Sequence, residues 1–591
     1  MTLGIGFKNL FKSLQILNQL VEIGAEYFIL CPGSRSAPLA IAAGELYKRG
    51  KIKLLNSLDE RSGGFHGLGI SAATGDMTVI ITTSGTAVAN LLPSAVEADR
   101  SNNPILFLTA DRPSRLKNCG SNQTVNQEEF LESVCRKCIR TNKKGLHHID
   151  DYEIQALINT IKENNCSCPG PIHLNIAFEK PLMLSRDERR QIFDLFEKKY
   201  LENELKQINN KISKKFTRAK LNKRCLIDIN KSGIIIAGPY QGSIKNLKDF
   251  NNALKRMQDL SGWPIFADPC SGIHINTRGI INNWELIISN KKKFIKCDQL
   301  IRLGPMTSSN NLEDFLINFK GKQILIKESD SRNLDPLKKA FEYEFGLKEY
   351  VNQLFGKNEF ESLEKKPLIP LAKGLIDRGK EITRIFKNEY LKSNKTTECA
   401  LANFVPRIWP ENYPIMLSAS SPIRDWLTFS ENKTLSRRCF SFRGASGIDG
   451  TLSLALGISR IQSPLLLVTG DLSFLHDING WLIENCFEAK LTILLLDNKG
   501  GNIFNRLYKN DLKLEEINKL FVMPRIIKWK NIAETYQIPY KSVTGLNNLK
   551  ECLKWSLALG KASIIKVSVD TVYEIYQRRI IFNSIYGNTT P

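Results

Sequence analysis

Short, uninterrupted apolar runs along the chain alternate with longer segments in which apolar residues recur at helical spacing. Apolar side chains from Phe7 to Val21 follow the spacing of an amphipathic helix, which Gly24 is expected to end. The apolar runs that follow predict five strands, over residues 27–31, 53–58, 77–82, 105–110 and 172–176. Apolar strands separated by helices are typical of a parallel sheet covered on both faces. The pattern therefore predicts a doubly wound α/β domain over residues 1–190.

The same alternation returns twice after changes in composition. Residues 197–231 are rich in Lys, Asn and Glu, and residues 361–370 combine charges with two prolines, so both segments are expected to connect domains. A second set of strands is predicted over residues 233–237, 264–267, 299–303 and 323–327. A third set is predicted over residues 464–469, 491–496 and 564–569. We therefore expect α/β domains over residues 1–190, 233–365 and 366–591, with a charged connecting segment over residues 191–232.

Composition and charge narrow the class of protein. The 591 residues are 42% hydrophobic and 24% charged, which is typical of a globular protein with a large core. The net charge of +23 comes from scattered Lys and Arg residues, without a basic block interleaved with aromatic residues. We therefore expect a solvated basic surface and no nucleic-acid partner, and a basic cleft that concentrates small anions is the alternative. No apolar run reaches the roughly 18 residues of a membrane span, so no membrane insertion is expected.

Cysteine usage indicates a reducing compartment. The thirteen cysteines are odd in number, lie mostly in apolar or strand-like segments and show no framework of a secreted protein. A cytoplasmic location is therefore expected, and the lysines within the first helix do not fit a signal peptide. The pairs Cys135/Cys138 and Cys166/Cys168 leave structural zinc as a weaker alternative, because the second spacing is too short for a zinc-binding pair.

Two predicted strands of the third domain are each followed by a polar side chain. Asp471 follows the first strand, and Asn498 follows the next, beside the flexible Gly500. The carboxyl ends of parallel strands meet at one edge of the sheet. One carboxylate and one neutral oxygen ligand suit a hard cation such as Mg²⁺ that also holds phosphate oxygens. The sequence therefore predicts a magnesium site with a diphosphate partner, and strand ends that carry Asp and Asn by chance are the alternative.

Gly470, Asp471 and Asn498 form a pattern that resembles the signature of the thiamine diphosphate (ThDP)-dependent enzymes, although Leu472 stands where glycine is usual. Within that superfamily, the segments Gly-Asp-Leu-Ser and Gly-Gly-Asn-Ile-Phe are similar to those of the 2-succinyl-5-enolpyruvyl-6-hydroxy-3-cyclohexene-1-carboxylate (SEPHCHC) synthases of quinone biosynthesis. The resemblance spans essentially the whole chain. It implies ThDP, with Mg²⁺ or Mn²⁺, as cofactors. It also implies three doubly wound parallel-sheet domains: pyrimidine-binding (1–190), central (233–365) and diphosphate-binding (366–591).

The resemblance further implies an activity and an assembly. These synthases are transferases that decarboxylate 2-oxoglutarate with ThDP and add the succinyl carbanion equivalent to isochorismate in a 1,4-addition, on the way to menaquinone or phylloquinone. The expected partners are therefore small anionic substrates. In the superfamily an early glutamate reaches the cofactor held by a second chain, so a homodimer with active sites at its interface is expected. Pairing of dimers into a tetramer is left open.

By resemblance, the glutamate that exchanges a proton with the aminopyrimidine ring of ThDP is Glu60, in the segment Leu-Asp-Glu-Arg-Ser. Burial against an apolar ring disfavours the charged form of a glutamate and helps it to share that proton. A carboxylate at a helix N-terminus, paired with Arg61, is the alternative. The other implied cofactor-binding residues are Gly470, Ser473, Asn498, Ile503 and Ile448, the last as the apolar prop that bends ThDP or as an ordinary core residue. The implied metal ligands are Asp471, Asn498 and Gly500.

Both implied substrates carry carboxylates, which arginine binds through two parallel hydrogen bonds. By resemblance, the substrate-binding residues of the first domain are Ser34, Arg35, Arg112 and Gln123. Those of the third domain are Ser420, Arg424, Arg443, Phe504 and Leu507, the last two forming an apolar wall with Ile503. For any single arginine, surface solvation is the alternative. The family often has a basic pair in a loop of the central domain, but this chain has Asn310 and Asn311 there, so that loop is not included in the predicted site.

Other functions compete with this interpretation. Another ThDP-dependent 2-oxo acid decarboxylase or carboligase is the nearest, because such decarboxylases often use adjacent histidines and this chain has His147 and His148. That pair lies in a polar, loop-like stretch far along the chain from Glu60, so we expect a surface feature. An acetohydroxyacid synthase would usually have glycine in place of Leu472. A catalytically silent scaffold that binds nucleotides or RNA is a third alternative, which the intact Asp471 argues against.

Overall fold

The computed structural model describes residues 4–141, 144–204, 221–289, 295–328, 330–356, 365–391, 393–508 and 513–587. The chain divides into two compact units. The first comprises Met1–Ala219, Leu456–Ile461 and Asn479–Cys486, and the second comprises Lys220–Ala455, Gln462–Ile478 and Phe487–Pro591. None of the helices in the described residues combines the length and apolar character that a membrane crossing requires.

A six-stranded parallel sheet forms the centre of the first unit, in the order β2-β1-β3-β4-β6-β5. Its strands are β1 (Tyr27–Leu30), β2 (Lys53–Asn56), β3 (Thr78–Thr82), β4 (Ile105–Asp111), β5 (Lys137–Arg140) and β6 (Pro171–Ala177). Its helices are α1 (Ile5–Glu22), α2 (Ala37–Lys48), α3 (Glu60–Thr74), α4 (Thr86–Ala89), α5 (Leu92–Ser101), α6 (Asp151–Ser167) and α7 (Arg186–Glu204). Fully buried apolar residues from the first helix and the strands share one core, among them Leu14, Phe28, Val79, Leu106 and Leu174.

The five strands predicted for this unit are confirmed to within two residues at each end. β5 was missed because it is a short edge strand that leaves Lys137 and Arg140 exposed, so it lacks an apolar run. The first part of the predicted connecting segment is helical, since α7 continues to Glu204, and residues 205–220 lie outside the described residues.

Glycines allow α3 to pack closely within the first unit. A methyl group added at Gly64 would lie 2.3 Å from the hydroxyl of Ser94 in α5, and one added at Gly67 would lie 2.4 Å from the side chain of Ile80 in β3. Since real Cβ atoms do not approach so closely, only glycine permits this contact. The packing fixes the position of the helix that begins at Glu60.

The second unit contains two parallel sheets. The first has the order β11-β10-β9-β7-β8 and the second has the order β13-β12-β14-β15-β17-β16. The strands are β7 (Gly233–Ala237), β8 (Ile265–Ala267), β9 (Gln299–Leu303), β10 (Lys322–Ile326), β11 (Phe341–Tyr343), β12 (Ile415–Leu417), β13 (Cys439–Ser441), β14 (Leu465–Gly470), β15 (Leu491–Asp497), β16 (Tyr540–Val543) and β17 (Ser563–Ser568). All seven strands predicted in this part of the chain are present; β11, β12, β13 and β16 were not predicted.

Helices cover both of these sheets. They are α8 (Leu247–Ser261), α9 (Trp284–Ile288), α10 (Asn310–Asn318), α11 (Gly346–Phe355), α12 (Pro370–Leu391), α13 (Glu398–Ile408), α14 (Ser421–Phe429), α15 (Thr451–Ser459), α16 (Asp471–His476), α17 (Ile503–Leu507), α18 (Leu514–Ile517), α19 (Trp529–Thr535), α20 (Leu549–Leu559) and α21 (Thr571–Tyr586). The last residues of α15 belong to the first unit. The expected α/β class, with three doubly wound parallel sheets, is thus confirmed.

The two sheets of the second unit share a hydrophobic core. Ile234 and Leu300 from one sheet and Ile415 and Leu466 from the other belong to the same buried cluster. This shared core explains why the chain forms two compact units although it contains three sheets. The predicted domain boundaries remain predictions.

Candidate functional site

The carboxyl ends of β14 and β15 lie side by side, with Gly470 opposite Leu496 in the register of the two strands. Asp471 begins α16 directly after β14, and its carboxylate accepts hydrogen bonds from the backbone N–H groups of Leu472 and Gly500, each at 2.7 Å. Gly500 has a φ of +122°, and a methyl group added there would lie 2.3 Å from the carbonyl oxygen of Val522. Glycine is therefore required at this position, where the loop approaches Asp471.

Asn498 directly follows β15 at the same edge of the sheet and is the remaining member of the predicted set of metal ligands. It is buried, and its amide nitrogen donates to a carboxylate oxygen of Glu398 at 2.7 Å. Its amide oxygen has no donor among the described residues. Because a buried oxygen without a partner is costly, a cation bound here would satisfy it. The carboxylate of Asp471, the amide oxygen of Asn498 and the carbonyl of Gly500 are hard oxygen donors that fit Mg²⁺.

The electrostatics of Asp471 also favour a cation. The pKa of this carboxyl is raised to about 6. Burial is the main cause and the nearby Asp497 adds to it, whereas the two backbone hydrogen bonds act in the opposite direction. Burial disfavours the charged form because it removes water from the carboxylate. A bound divalent cation would reverse this shift by stabilising the ionised form.

Each of the remaining predicted cofactor residues lies at or after the carboxyl end of a strand of this sheet. Gly470 ends β14 with open space around its Cα, since a Cβ would meet no atom within 4 Å. Ser473 is buried in the first turn of α16. Ile503 begins α17, directly after the Gly500 loop, and is half-buried. Ile448 is half-buried in the loop between β13 and α15, where its carbonyl accepts from the hydroxyl of Thr451 at 3.2 Å.

A cavity of about 1060 Å³ lies in the second unit. The predicted residues that line it are Arg424, Ile503 and Leu507, and the neutral Asn310 and Asn311 line it as well. One face of α21, which the sequence did not connect with a site, supplies five further lining residues. The cavity combines apolar side chains with guanidinium groups, so it suits an anionic ligand with an apolar body.

Three other predicted residues of the second unit are not lining residues of this cavity. Ser420 precedes α14 with a φ of +71°, and its carbonyl accepts from the guanidinium of Arg424 at 2.9 Å. Burial lowers the pKa of Arg424, and the charge of Arg443 lowers it further, so these two guanidiniums are neighbours. Phe504 packs against Phe521, with ring centroids 5.3 Å apart. The structure thus brings Ser420, Arg424 and Arg443 together and places Phe504 in an aromatic cluster.

Three buried carboxylates, Glu398, Asp425 and Glu574, lie close together and were not found from the sequence; Asp425 also lines the cavity. Arg506 lies 3.6 Å from Glu398 and 3.5 Å from Asp425, and Arg578 lies 2.8 Å from Asp425 and contacts Glu574. These two guanidiniums offset two of the three negative charges, and each carboxylate already has an arginine partner, which argues against a second metal ion here. Burial raises the pKa of Glu398 to about 7; Arg506 opposes this shift, and the other two carboxylates add to it.

The predicted residues of the first unit meet at the carboxyl edge of its sheet. The guanidinium of Arg35 is buried and donates to the carbonyl of Phe178 at 2.8 Å. Arg112 donates to the carbonyl of Gln123 at 2.7 Å and to the hydroxyl of Ser84. Burial lowers the pKa of Arg35, and the nearby charge of Arg112 lowers it further. Two neighbouring guanidiniums at one edge have the charge and donors that an anion would require, and their role in binding substrate remains a prediction.

The other polar residues around this edge hold its loops in place. The amide of Gln123 donates to the carbonyl of Ser84 at 2.9 Å, and Gln123 itself adopts a φ of +56°. Ser34 is exposed at the start of a short 3-10 turn between β1 and α2. Gln127 was not predicted, yet its buried side chain accepts from the N–H of Gly85 at 2.9 Å and donates to the carbonyl of Ala110 at 3.0 Å. No local pattern distinguishes Gln127 in the sequence.

Glu60 is the first residue of α3 and is half-buried within the first unit. The preceding Asp59 caps the helix by accepting from the N–H groups of Arg61 at 2.9 Å and Ser62 at 3.3 Å. Burial raises the pKa of the Cys31 thiol, and the charge of Glu60 raises it further, so the Glu60 carboxylate lies near the carboxyl end of β1. Its enclosure against an apolar ring remains a prediction.

The histidine pair and the cysteine pairs left other interpretations of the sequence open, and the structure shows where they lie. His148 is exposed and His147 is half-buried, with their ring centroids 4.1 Å apart; the carbonyl of His147 accepts from Lys12 of α1 at 3.3 Å. The pair therefore lies against the first helix. The thirteen cysteines are all free. Within the described part of the chain, the cysteine pairs belong to no group of three or more ligands close enough to hold a metal.

Comparisons with known proteins agree with this geometry. The family model described as the N-terminal TPP binding domain of thiamine pyrophosphate enzymes matches residues 13–132. The chain also resembles, over 95% of its length, the Rhodococcus jostii RHA1 thiamine diphosphate-dependent 4-hydroxybenzoylformate decarboxylase, of which 99% is covered. The TM-score is 0.65 and the sequence identity is 14%, so this likeness shows the fold alone.

Curated relatives define the family more narrowly. The chain is 57% identical to the SEPHCHC synthase of Prochlorococcus marinus (strain MIT 9515) and 55% identical to that of strain MIT 9301, with 100% of each chain covered in both alignments. It is 42% identical to the synthase of strain NATL2A, over 97% of this chain and 96% of the relative. The family expected from the Gly-Asp-Leu-Ser and Gly-Gly-Asn-Ile-Phe segments is thus confirmed, and the chain belongs to the 2-succinyl-5-enolpyruvyl-6-hydroxy-3-cyclohexene-1-carboxylate synthase family of ThDP-dependent enzymes.

Proposed function

We propose that this chain decarboxylates 2-oxoglutarate with ThDP and adds the succinyl unit to isochorismate in a 1,4-addition, the activity implied by its membership of the SEPHCHC synthase family. The observation that carries the proposal is the pair of strand ends in the second unit. There Asp471 and Gly500 are hydrogen-bonded, and the buried amide oxygen of Asn498 lacks a donor among the described residues. Such a donor set supports a cation that binds a diphosphate.

In this proposal, Asp471, Asn498 and Gly500 hold Mg²⁺ or Mn²⁺. Gly470, Ser473, Ile448 and Ile503 contact the cofactor, and these residues lie beside the metal ligands along the chain or in adjoining loops. ThDP supplies a nucleophilic carbon for attack on a 2-oxo acid and accepts the electron pair released on decarboxylation. The protein supplies binding, orientation and a cationic environment.

The guanidinium groups hold the carboxylates of the two substrates. Arg35 and Arg112, with Ser34 and Gln123, form one cationic group in the first unit. Ser420, Arg424 and Arg443 form another in the second unit, where Leu507 lines the cavity and forms an apolar wall with Ile503 and Phe504. Bidentate arginine contacts orient a 2-oxo acid as well as attracting it.

Glu60 exchanges a proton with the aminopyrimidine ring of ThDP bound by the diphosphate-binding residues of a second copy of the chain. This assignment makes the catalytic assembly a homodimer, and we assign it to the cytoplasm. Its supports are the family and the position of Glu60 at the carboxyl end of the first sheet. The domain limits of 1–190, 233–365 and 366–591 belong to the same proposal.

The test supplies 2-oxoglutarate, isochorismate, ThDP and Mg²⁺ and follows the loss of isochorismate absorbance. We expect consumption by the unmodified chain and a loss of at least roughly a hundredfold in the Glu60→Gln variant, since proton transfer by a positioned side chain contributes that much. Glu132→Gln, an exposed position in the same unit, is the matched control and should keep full activity. Carbon dioxide released equally fast without isochorismate would instead support a simple decarboxylase.

A further inference from the structure

The helix α21 presents two different faces. Glu574, Gln577, Ile581 and Ile585 are buried in the protein. A second face lines the cavity of the second unit, at positions three or four residues apart: Ile575, Arg578, Arg579, Phe582 and Asn583. Because residues at this spacing share one side of a helix, α21 contributes a continuous wall to the cavity that also contains Arg424 and Leu507.

Two of the four arginines at the cavity are already neutralised. Arg578 pairs with Asp425 at 2.8 Å and with Glu574, and both carboxylates are buried. Arg506 lies 3.5 Å from Asp425 and donates to the hydroxyl of Ser421 at 2.7 Å. These guanidiniums therefore compensate buried carboxylates and have little charge left for a ligand.

The other two arginines have a different environment. Arg579 is exposed at the cavity and forms no ion pair within the described part of the chain. Arg424 donates a hydrogen bond to a backbone carbonyl. Because a carbonyl has no net charge, this contact does not neutralise the guanidinium. On another wall, the amide nitrogen of Asn311 donates to Glu285 at 2.6 Å, so this side chain is already engaged. Arg424 and Arg579 thus supply the cavity's available positive charge.

We propose that Arg579, with Arg424, binds the carboxylates of the ring-shaped dicarboxylate substrate, whose apolar ring contacts Ile503, Leu507, Ile575 and Phe582. This inference rests on the proposed function, because it takes isochorismate as that substrate. Two guanidiniums from different helices, Arg424 of α14 and Arg579 of α21, match a ligand with two carboxylates. The apolar lining favours the cyclic substrate over 2-oxoglutarate, which lacks a ring. Arg579 is therefore a substrate-binding residue, whereas Arg578 beside it is structural.

The experiment compares Arg579→Gln, Arg579→Lys and Arg578→Gln, with Arg190→Gln on the exposed surface of α7 as a matched control. Steady-state rates give kcat and the KM for each substrate. For Arg579→Gln we expect the KM for isochorismate to rise roughly 10- to 100-fold, with a smaller change in the KM for 2-oxoglutarate and a similar melting temperature. Arg579→Lys should restore part of the affinity. Arg578→Gln should lower the melting temperature, because it leaves buried carboxylates unpaired.

An unchanged KM for isochorismate in Arg579→Gln would overturn the inference, and so would an equal rise in Arg190→Gln or a fall in melting temperature like that of Arg578→Gln. Calorimetric titration of the ThDP-free unmodified chain and its Arg579→Gln variant with isochorismate separates this inference from the proposed function. Weaker binding by the variant supports the inference even if the unmodified chain proves unable to turn isochorismate over. Equal binding by both proteins contradicts it whatever the activity.

Discussion

The carboxyl edges of the first and third sheets carry opposite kinds of polar group. At the edge of the first sheet, the guanidiniums of Arg35 and Arg112 each donate to a backbone carbonyl. At the edge of the third sheet, Asp471 is buried with a pKa raised to about 6, and Asn498 keeps an oxygen without a donor among the described residues. In the proposed function, Arg35 and Arg112 form an anion-binding edge, whereas Asp471 and Asn498 form a cation-binding edge. The same fold provides both, because different residues follow the strand ends of the two sheets.

The largest effect should come from removing the negative charge of Asp471 at the cation-binding edge of the third sheet. We expect Asp471→Asn to lower kcat/KM on the order of a thousandfold, more than the 10- to 100-fold typical of residues behind a metal ligand. Titration of ThDP at several Mg²⁺ concentrations, followed by intrinsic fluorescence, should show that metal-dependent cofactor binding is lost. Asp497→Asn is the control, since Asp497 lies nearby but pairs with Lys566 at 3.1 Å. Equal losses in both variants would mean that general negative charge, not coordination, attracts the cation.

Changing the anion-binding edge should have a smaller effect of a different kind. We expect Arg112→Gln to raise the KM of a substrate roughly 10- to 100-fold while the affinity for ThDP and Mg²⁺ stays unchanged, because the guanidinium acts on carboxylates. Steady-state kinetics and the same fluorescence titration provide the two measurements. A large loss of Mg²⁺ affinity in this variant would contradict the division of roles between the two edges.

The hydrogen bond behind Asn498 provides a finer test of the cation-binding edge. Because Glu398 accepts from the amide nitrogen of Asn498, the amide oxygen is directed away from Glu398. We expect Glu398→Leu to weaken Mg²⁺ binding roughly tenfold, as is usual for residues that orient a metal ligand. Glu398→Gln retains an oxygen that can accept this bond and should recover most of the affinity. Equal Mg²⁺ affinities for the Leu and Gln variants would show that the bond does not orient Asn498.

The smallest predicted effect concerns Glu328, a carboxyl whose pKa is raised by burial but which is not a proposed metal ligand. Glu328, near the end of β10 in the second sheet, has a pKa raised to about 7 by burial, while its hydrogen bond from the N–H of Leu347, at 2.7 Å, opposes the shift. The folded form therefore binds this proton more tightly than the unfolded form. The resulting stabilisation is complete below the unfolded pKa of about 4.5 and is lost as the pH rises through about 7.

The pH dependence is measured as the difference in the free energy of unfolding between the unmodified chain and Glu328→Gln. We expect a difference on the order of 1 kcal/mol across this pH range, reduced because the side chain is partly exposed. Added Mg²⁺ should leave this difference in the free energy of unfolding unchanged, because Glu328, in contrast to Asp471, is not a proposed metal ligand. A pH-independent difference would show that burial does not shift the pKa of Glu328.

The sequence predicted the parts of the fold that have long local signals. Strands such as β4 and β15 are seven residues long and mostly apolar, and both were predicted. β12 and β13 have only three residues each, too few for a periodic pattern, and both were missed, although the equally short β8 was predicted. The third sheet was recognised, but the core that it shares with the second depends on contacts between distant segments.

The same distinction applies to the site. Asp471 and Asn498 were predicted because each directly follows an apolar strand, and the structure brings both to one edge. The carboxylates of Glu398, Asp425 and Glu574 come from three helices far apart in the chain, so no spacing indicates that they meet. The role of α21 was likewise not apparent, because the side chains that face the cavity alternate along the helix with buried ones.

Arg578 lies near the end of the chain, and this position should affect how the second unit folds during translation. Glu398 and Asp425 leave the ribosome long before Arg578, which later pairs with Asp425 and Glu574. Until α21 has been translated, Asp425 lacks the guanidinium that lies 2.8 Å from it, and Arg506, at 3.5 Å, also serves Glu398, so burying these two acids is unfavourable. The nascent second unit should therefore stay open to solvent and chaperones, and should close only after translation of this helix.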